Sequence, residues 1–120
     1  MSALDPSAIR TLAIIDCGPL AGQRLNEALS AIMVLATYGQ QVQLLLCGDA
    51  VQLIEQPVTP ITNHPFKSVY AMIESFEFYD LLPIWISEAS SAPSHPLVEY
   101  QKIHLNQLDL KKFTHILRWS

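Results

Sequence analysis

Two thiols are the natural nucleophiles of this 120-residue chain, and each stands where an apolar run gives way to a turn. Cys17 sits in Asp16-Cys17-Gly18-Pro19, and Cys47 is followed by Gly48 and Asp49. A thiol at the start of a helix is acidified by the helix dipole and can then attack an electrophile, as in phosphocysteine enzymes. For Cys17 the spacing opposes that chemistry. Six residues separate it from Arg24, one more than a phosphatase-type phosphate loop carries. Free cysteine is also among the most buried residue types. Both thiols are therefore read as packed side chains, with a thiol-dependent transferase using Cys17 kept as the enzyme alternative.

Other chemistries find little to work with. His64, His95, His104 and His115 are scattered, with no HxH or HExxH spacing that would place two ligands on one face, so no metal is expected. The segment CGPLAG lacks the Ser/Thr and Lys of a nucleotide P-loop and the hydroxyl-rich phosphate loop of a flavodoxin, and no cofactor is expected either. A phosphoacceptor receiver domain would need an acidic pair after its first strand; Asp16 stands alone there, and Ser87 ends the third strand where a further Asp would be required. The aromatic set Phe66, Tyr70, Phe76, Phe78 and Tyr79 could stack bases, but its helical spacing favours core or subunit interface.

The elements that position these residues follow from hydrophobic periodicity. Thr11 to Ile15 is a β-branched and apolar run, read as a buried strand. Leu25, Ala28, Leu29, Ile32, Met33 and Ala36 recur at three- and four-residue spacing and define a helix, with Gly39 at its C-cap. Val42 to Cys47 is a second strand, and a short helical stretch carries Val51, Leu53 and Ile54. Beyond Pro57, Pro60 and Pro65, the residues Phe66, Val69, Tyr70, Ile73 and Phe76 form one face of a second helix. Pro83 to Ser87 supplies a third strand. Ser90 to Pro96 reads as a flexible or irregular loop, Leu97 to Tyr100 as a fourth strand, Asn106 to Lys112 as a short helix and His115 to Trp119 as a closing strand. Strands alternating with helices, several of them continuous apolar runs, predict a single α/β domain. Its five-stranded sheet should be mainly parallel, with helices on both faces. Residues 1–9, broken by Asp5 and Pro6, read as a loose leader before a domain spanning 10–120.

Composition narrows the function classes. Hydrophobic residues make up 50% of the chain and charged residues 15%, below the roughly 25% charged of an average soluble domain. Such a charge-poor surface leaves apolar area better placed against another subunit, so an oligomer is expected. Seven Lys and Arg with no basic run, and a net charge of −4, argue against direct nucleic-acid binding, because phosphate neutralisation needs clustered cations. No apolar segment reaches the ~18 residues of a membrane span. The first residues lack the cationic start and apolar stretch of a secretory signal, and two cysteines without a CxxC pair indicate neither a disulfide framework nor a zinc site. A reducing, cytoplasmic setting is expected.

Five segments in order, GPLAGQRLNEALSA, GDAVQLI, FKSVYAMI, YDLLPIWIS and HILRW, together resemble the TusC/DsrF branch of the DsrE/DsrF/DsrH-like sulfur-relay proteins, from about Arg10 to the end. The resemblance implies a flavodoxin-like sheet and assembly with DsrE/TusD-like and DsrH/TusB-like subunits. In such assemblies persulfide sulfur passes between cysteines, toward tRNA 2-thiouridine or within sulfur oxidation. It also implies that the carrier cysteine of the DsrE/TusD branch falls just after the strand matching Pro83 to Ile86. That position is Ser87 here, and the basic, glycine-ended continuation is replaced by SEASSAPSHP. A hydroxyl cannot form a persulfide. The expectation is a non-catalytic subunit of a persulfide-transfer complex. The alternatives are the Cys17 transferase and a stand-alone homo-oligomeric binding protein.

Overall fold

The computed structural model describes residues 10–17, 23–56, 67–79, 81–90 and 92–119. The expected leader, the loop at Gly18 to Gly22, the proline-punctuated stretch with His64, and Phe66 lie outside the described residues.

Five strands, β1 (Arg10–Ile15), β2 (Gln41–Leu46), β3 (Ile84–Ser87), β4 (Tyr100–Ile103) and β5 (His115–Trp119), form one sheet in the order β4-β3-β2-β1-β5. Every pairing is parallel. Parallel neighbours need crossovers, and helix α1 (Gln23–Thr37) supplies the first while α2 (Lys67–Glu74) lies in the second. The chain steps outward from β1 to β4 and then returns to place β5 on the other side of β1. The sheet order therefore reverses at β1, and the β1/β5 junction is the topological switch point.

One face of the sheet carries Ala13, Ile15, Val42, Leu44, Leu46, Ile84 and Ile86. It packs against Leu25, Ala28, Leu29 and Ile32 of α1 and Val69 and Ile73 of α2 in the main core. Strand alternation puts Leu12, Leu45 and Trp85 on the other face. There the β4–β5 connection crosses as two single 3-10 turns, Leu105–Gln107 and Leu110–Lys112, and Phe113 meets Trp85 edge to face with centroids 6.3 Å apart. The short helix expected over 106–112 is thus two separated turns.

Local chemistry explains the element ends. After α1, Gly39 takes φ +79°, its N–H bonds the Ala36 carbonyl at 3.0 Å and the Gln40 N–H bonds the Leu35 carbonyl at 3.1 Å. This is the paired closure that a left-handed residue makes possible at a helix C-terminus. The fourth strand lies three residues later than expected. Leu97 donates to the Ile54 carbonyl at 2.7 Å and Pro96 bridges Glu55, which commits the apolar Leu97-Val98 pair to the end of the 3-10 segment Gly48–Ile54. The polar Tyr100-Gln101-Lys102-Ile103 forms the edge strand instead.

Candidate functional site at the carboxyl edge of the sheet

Parallel strands all end on one side, so the residues following β1, β2, β3 and β4, together with the last residues of β5, gather along a single edge. That edge holds Asp16, Cys17, Cys47, Ser87, Glu88, His104 and Arg118.

Cys17 is 8% exposed and belongs to the main hydrophobic core. Cys47 directly follows β2 and is half-buried, with its N–H bonded to the Ile15 carbonyl at 3.0 Å. Its thiol is pushed up from the usual range, first by burial, then by the Asp16 carboxylate, with Arg118 pulling the other way. A raised thiol holds little thiolate at neutral pH, which disfavours nucleophilic attack.

Ser87 is 3% exposed at the last position of β3. Its hydroxyl accepts from the Ala89 N–H at 3.3 Å and its carbonyl from the Ser90 N–H at 3.0 Å. It caps the turn that leaves the sheet. It also lines a cleft of about 450 Å³ between the 3-10 segment after β2 and the loop after β3, bordered by Gly48, Asp49, Gln52, Ser90 and Pro93. The Gly48 N–H donates to Ser90 Oγ at 3.0 Å across that cleft. Gly48 has φ +57°, a left-handed backbone that favours glycine; a Cβ there would make only an ordinary contact with Asp16 Oδ1, at 3.5 Å.

Two side-chain contacts frame the edge. Arg118 donates to Asp16 Oδ2 at 2.8 Å, closing the β1/β5 switch point, and His104 pairs with Glu88 between the ends of β4 and β3. Sequence reasoning weighed Asp16 alone and did not single out Arg118. The available signal was one arginine set among the apolar Ile116, Leu117 and Trp119. The loop read as irregular is pinned by Glu55, whose carboxylate accepts the Ser94 and His95 N–H groups at 2.8 and 2.6 Å. These bonds hold its pKa below the ordinary carboxylate range.

The remaining candidates disperse. His95 and His115 stand apart from the His104 pair, and among the described residues no group of three or more His, Cys, Asp or Glu is arranged to hold a metal. The aromatic set divides. Phe76 and Tyr70 are buried, Phe78 is 80% exposed and Tyr79 lies at the surface. A second cavity of about 290 Å³ lies at the opposite, amino edge of the strands, between Arg10, Tyr79, Trp85 and Phe113. No described helix is long and apolar enough to cross a membrane.

A five-stranded parallel α/β sheet with its loops and polar groups collected at one edge defines a class of fold. Comparison with known proteins bears on that fold. No protein-family profile matches the chain, and no curated protein matches it. Among solved structures, the crystal structure of the YchN protein from E. coli superposes with a TM-score of 0.71 at 14% identity, over 92% of this chain and 99% of that one. The two chains share one α/β architecture.

Proposed function

We propose that this chain is a non-carrier subunit of a sulfur-relay complex, shaping the assembly and helping to present a persulfide-bearing neighbour. The observation that carries the reading is Ser87. The resemblance puts a carrier thiol at the carboxyl end of β3; here that position holds a buried hydroxyl engaged in a turn. The chain's own thiols support the same reading. Cys17 is enclosed in the core, and Cys47 is raised above its usual range. The DsrE/DsrF-like fold shared with YchN supports a coarse place among sulfur-relay proteins. The TusC/DsrF branch, the DsrE/TusD-like and DsrH/TusB-like partners and a cytoplasmic location belong to the proposal.

Two experiments test it together. Mass spectrometry of proteins that co-purify from the native host should find DsrE-like and DsrH-like subunits; purification without either contradicts the assembly. Ser87→Cys, in a background with Cys17→Ser and Cys47→Ser, should gain acceptance of labelled persulfide sulfur that the parent chain lacks. Equal acceptance by the parent removes the special standing of position 87.

A further inference from the structure

We propose that the outer edge of β5 pairs antiparallel with β5 of a second copy of this chain, around a twofold axis through Leu117. Two five-stranded sheets would thereby join into one.

The argument starts from the ladder. β5 ends the sheet order, and among the described residues it pairs with β1 alone. Trp119 turns its carbonyl toward β1, accepting from the Asp16 N–H at 2.8 Å. Backbone groups alternate along a strand, so His115 and Leu117 also face β1, while Ile116 and Arg118 aim their N–H and C=O groups outward. An exposed, apolar edge of this kind is a template for another strand. Ile116 is 45% and Leu117 36% exposed, one on each face of the sheet.

A second copy fits that edge. With the axis at Leu117, Ile116 of one copy lies opposite Arg118 of the other, and their outward N–H and C=O groups satisfy one another in both directions. Leu117 meets its own counterpart in the non-hydrogen-bonded position, where side chains approach most closely. His115 lies opposite Trp119, so no like charges face each other. The one arginine of the strand is paired with its own Asp16, and its aliphatic stem can lie over the facing Ile116. Moving the axis to Arg118 would set two arginines face to face. Moving it to Ile116 would call on the Thr114 N–H, which is spent on the Arg10 carbonyl at 2.8 Å. The opposite edge is unsuited to self-pairing: β4 exposes Gln101 and Lys102, the polar blunting that guards natural sheet edges.

The pairing goes beyond the sulfur-relay reading and does not depend on it. It is tested on the purified chain by light scattering after size exclusion and by cysteine crosslinking in a Cys47→Ser background. The expected results are a species of about twice 13.4 kDa, or a larger even-numbered assembly, and rapid disulfide dimerisation of Leu117→Cys. Ile116→Cys should crosslink poorly, since its opposite residue is Arg118. Ile116→Lys, which faces that arginine across the pair, should shift the population to monomer with unchanged circular dichroism. A monomer throughout the micromolar range, an assembly in which Leu117→Cys fails to crosslink, preferential crosslinking of Ile116→Cys, or an assembly indifferent to Ile116→Lys would each overturn it.

Discussion

The guanidinium of Arg118 donates to the carboxylate of Asp16 at 2.8 Å, joining residues 102 positions apart across the point where the sheet order reverses. Both groups are partly in water, at 61% and 33% side-chain exposure. The pair itself is thus worth about 0.2–1 kcal/mol. Its larger consequence is for Cys47, whose thiol feels both charges in opposite senses. Asp16→Asn removes a raising influence, so the thiol pKa falls and alkylation at neutral pH quickens. Arg118→Gln removes the lowering influence, so the pKa rises and alkylation slows. Iodoacetamide rates across pH, read by mass spectrometry at Cys47, check both signs. A change in the same direction for both variants contradicts the account.

The two cysteines should differ sharply in access. Cys17, enclosed by the core, should resist labelling until the chain unfolds. Cys47 should label in the folded state, slowly at about pH 6, where even an unperturbed thiol of pKa ~8.5 is almost wholly protonated. Rapid native labelling of Cys17 at that pH would instead support the transferase alternative.

Glu55 pins the loop after β3 through the Ser94 and His95 N–H groups. Because its folded-state pKa is depressed, the stabilisation is present above the ordinary carboxylate range and is lost as pH falls through the folded value. Glu55→Gln should speed amide exchange at Ser94 and His95 with a global cost under about 1 kcal/mol, the scale of an exposed charged contact. Acidification of the native chain should reproduce the same local change, whereas exchange that is insensitive to both would contradict the clamp.

Phe76 is fully buried where the 3-10 turn after α2 meets the core. Phe76→Ala should destabilise by about 3–5 kcal/mol, measured by denaturant unfolding. Phe78→Ala, two residues on and 80% exposed, should fall within about 0.5 kcal/mol of the native chain. Equal effects would mean that the aromatic run does not divide between core and surface.

How much of this was legible follows the same physics. β5 was readable to the residue because Ile116, Leu117 and Trp119 cluster directly after the polar stretch Lys111 to Thr114. α1 was readable because its buried positions repeat at helical spacing and Gly39 closes it. β4 was misplaced because Leu97 and Val98 look like a strand. Leu97 itself bonds instead to Ile54 and the preceding Pro96 bridges Glu55, while the true β4 is polar and carries no such signal. Ser87 could be placed at a strand end by counting along Ile84-Trp85-Ile86. The Asp16–Arg118 contact could not, since it exists only after β5 returns to the side of β1, a matter of sheet order and not of local pattern.

Sulfur loading of the unaltered chain tests the central claim most directly. The protein is incubated with a persulfide donor carrying radioactive sulfur, alone and beside Cys17→Ser and Cys47→Ser. Reductant-labile label is then counted on the isolated chain. The account predicts no label above that of a chain lacking both thiols. Stoichiometric label on the native protein, abolished by one of the two serine substitutions, would show that this subunit carries sulfur itself and contradict the assignment.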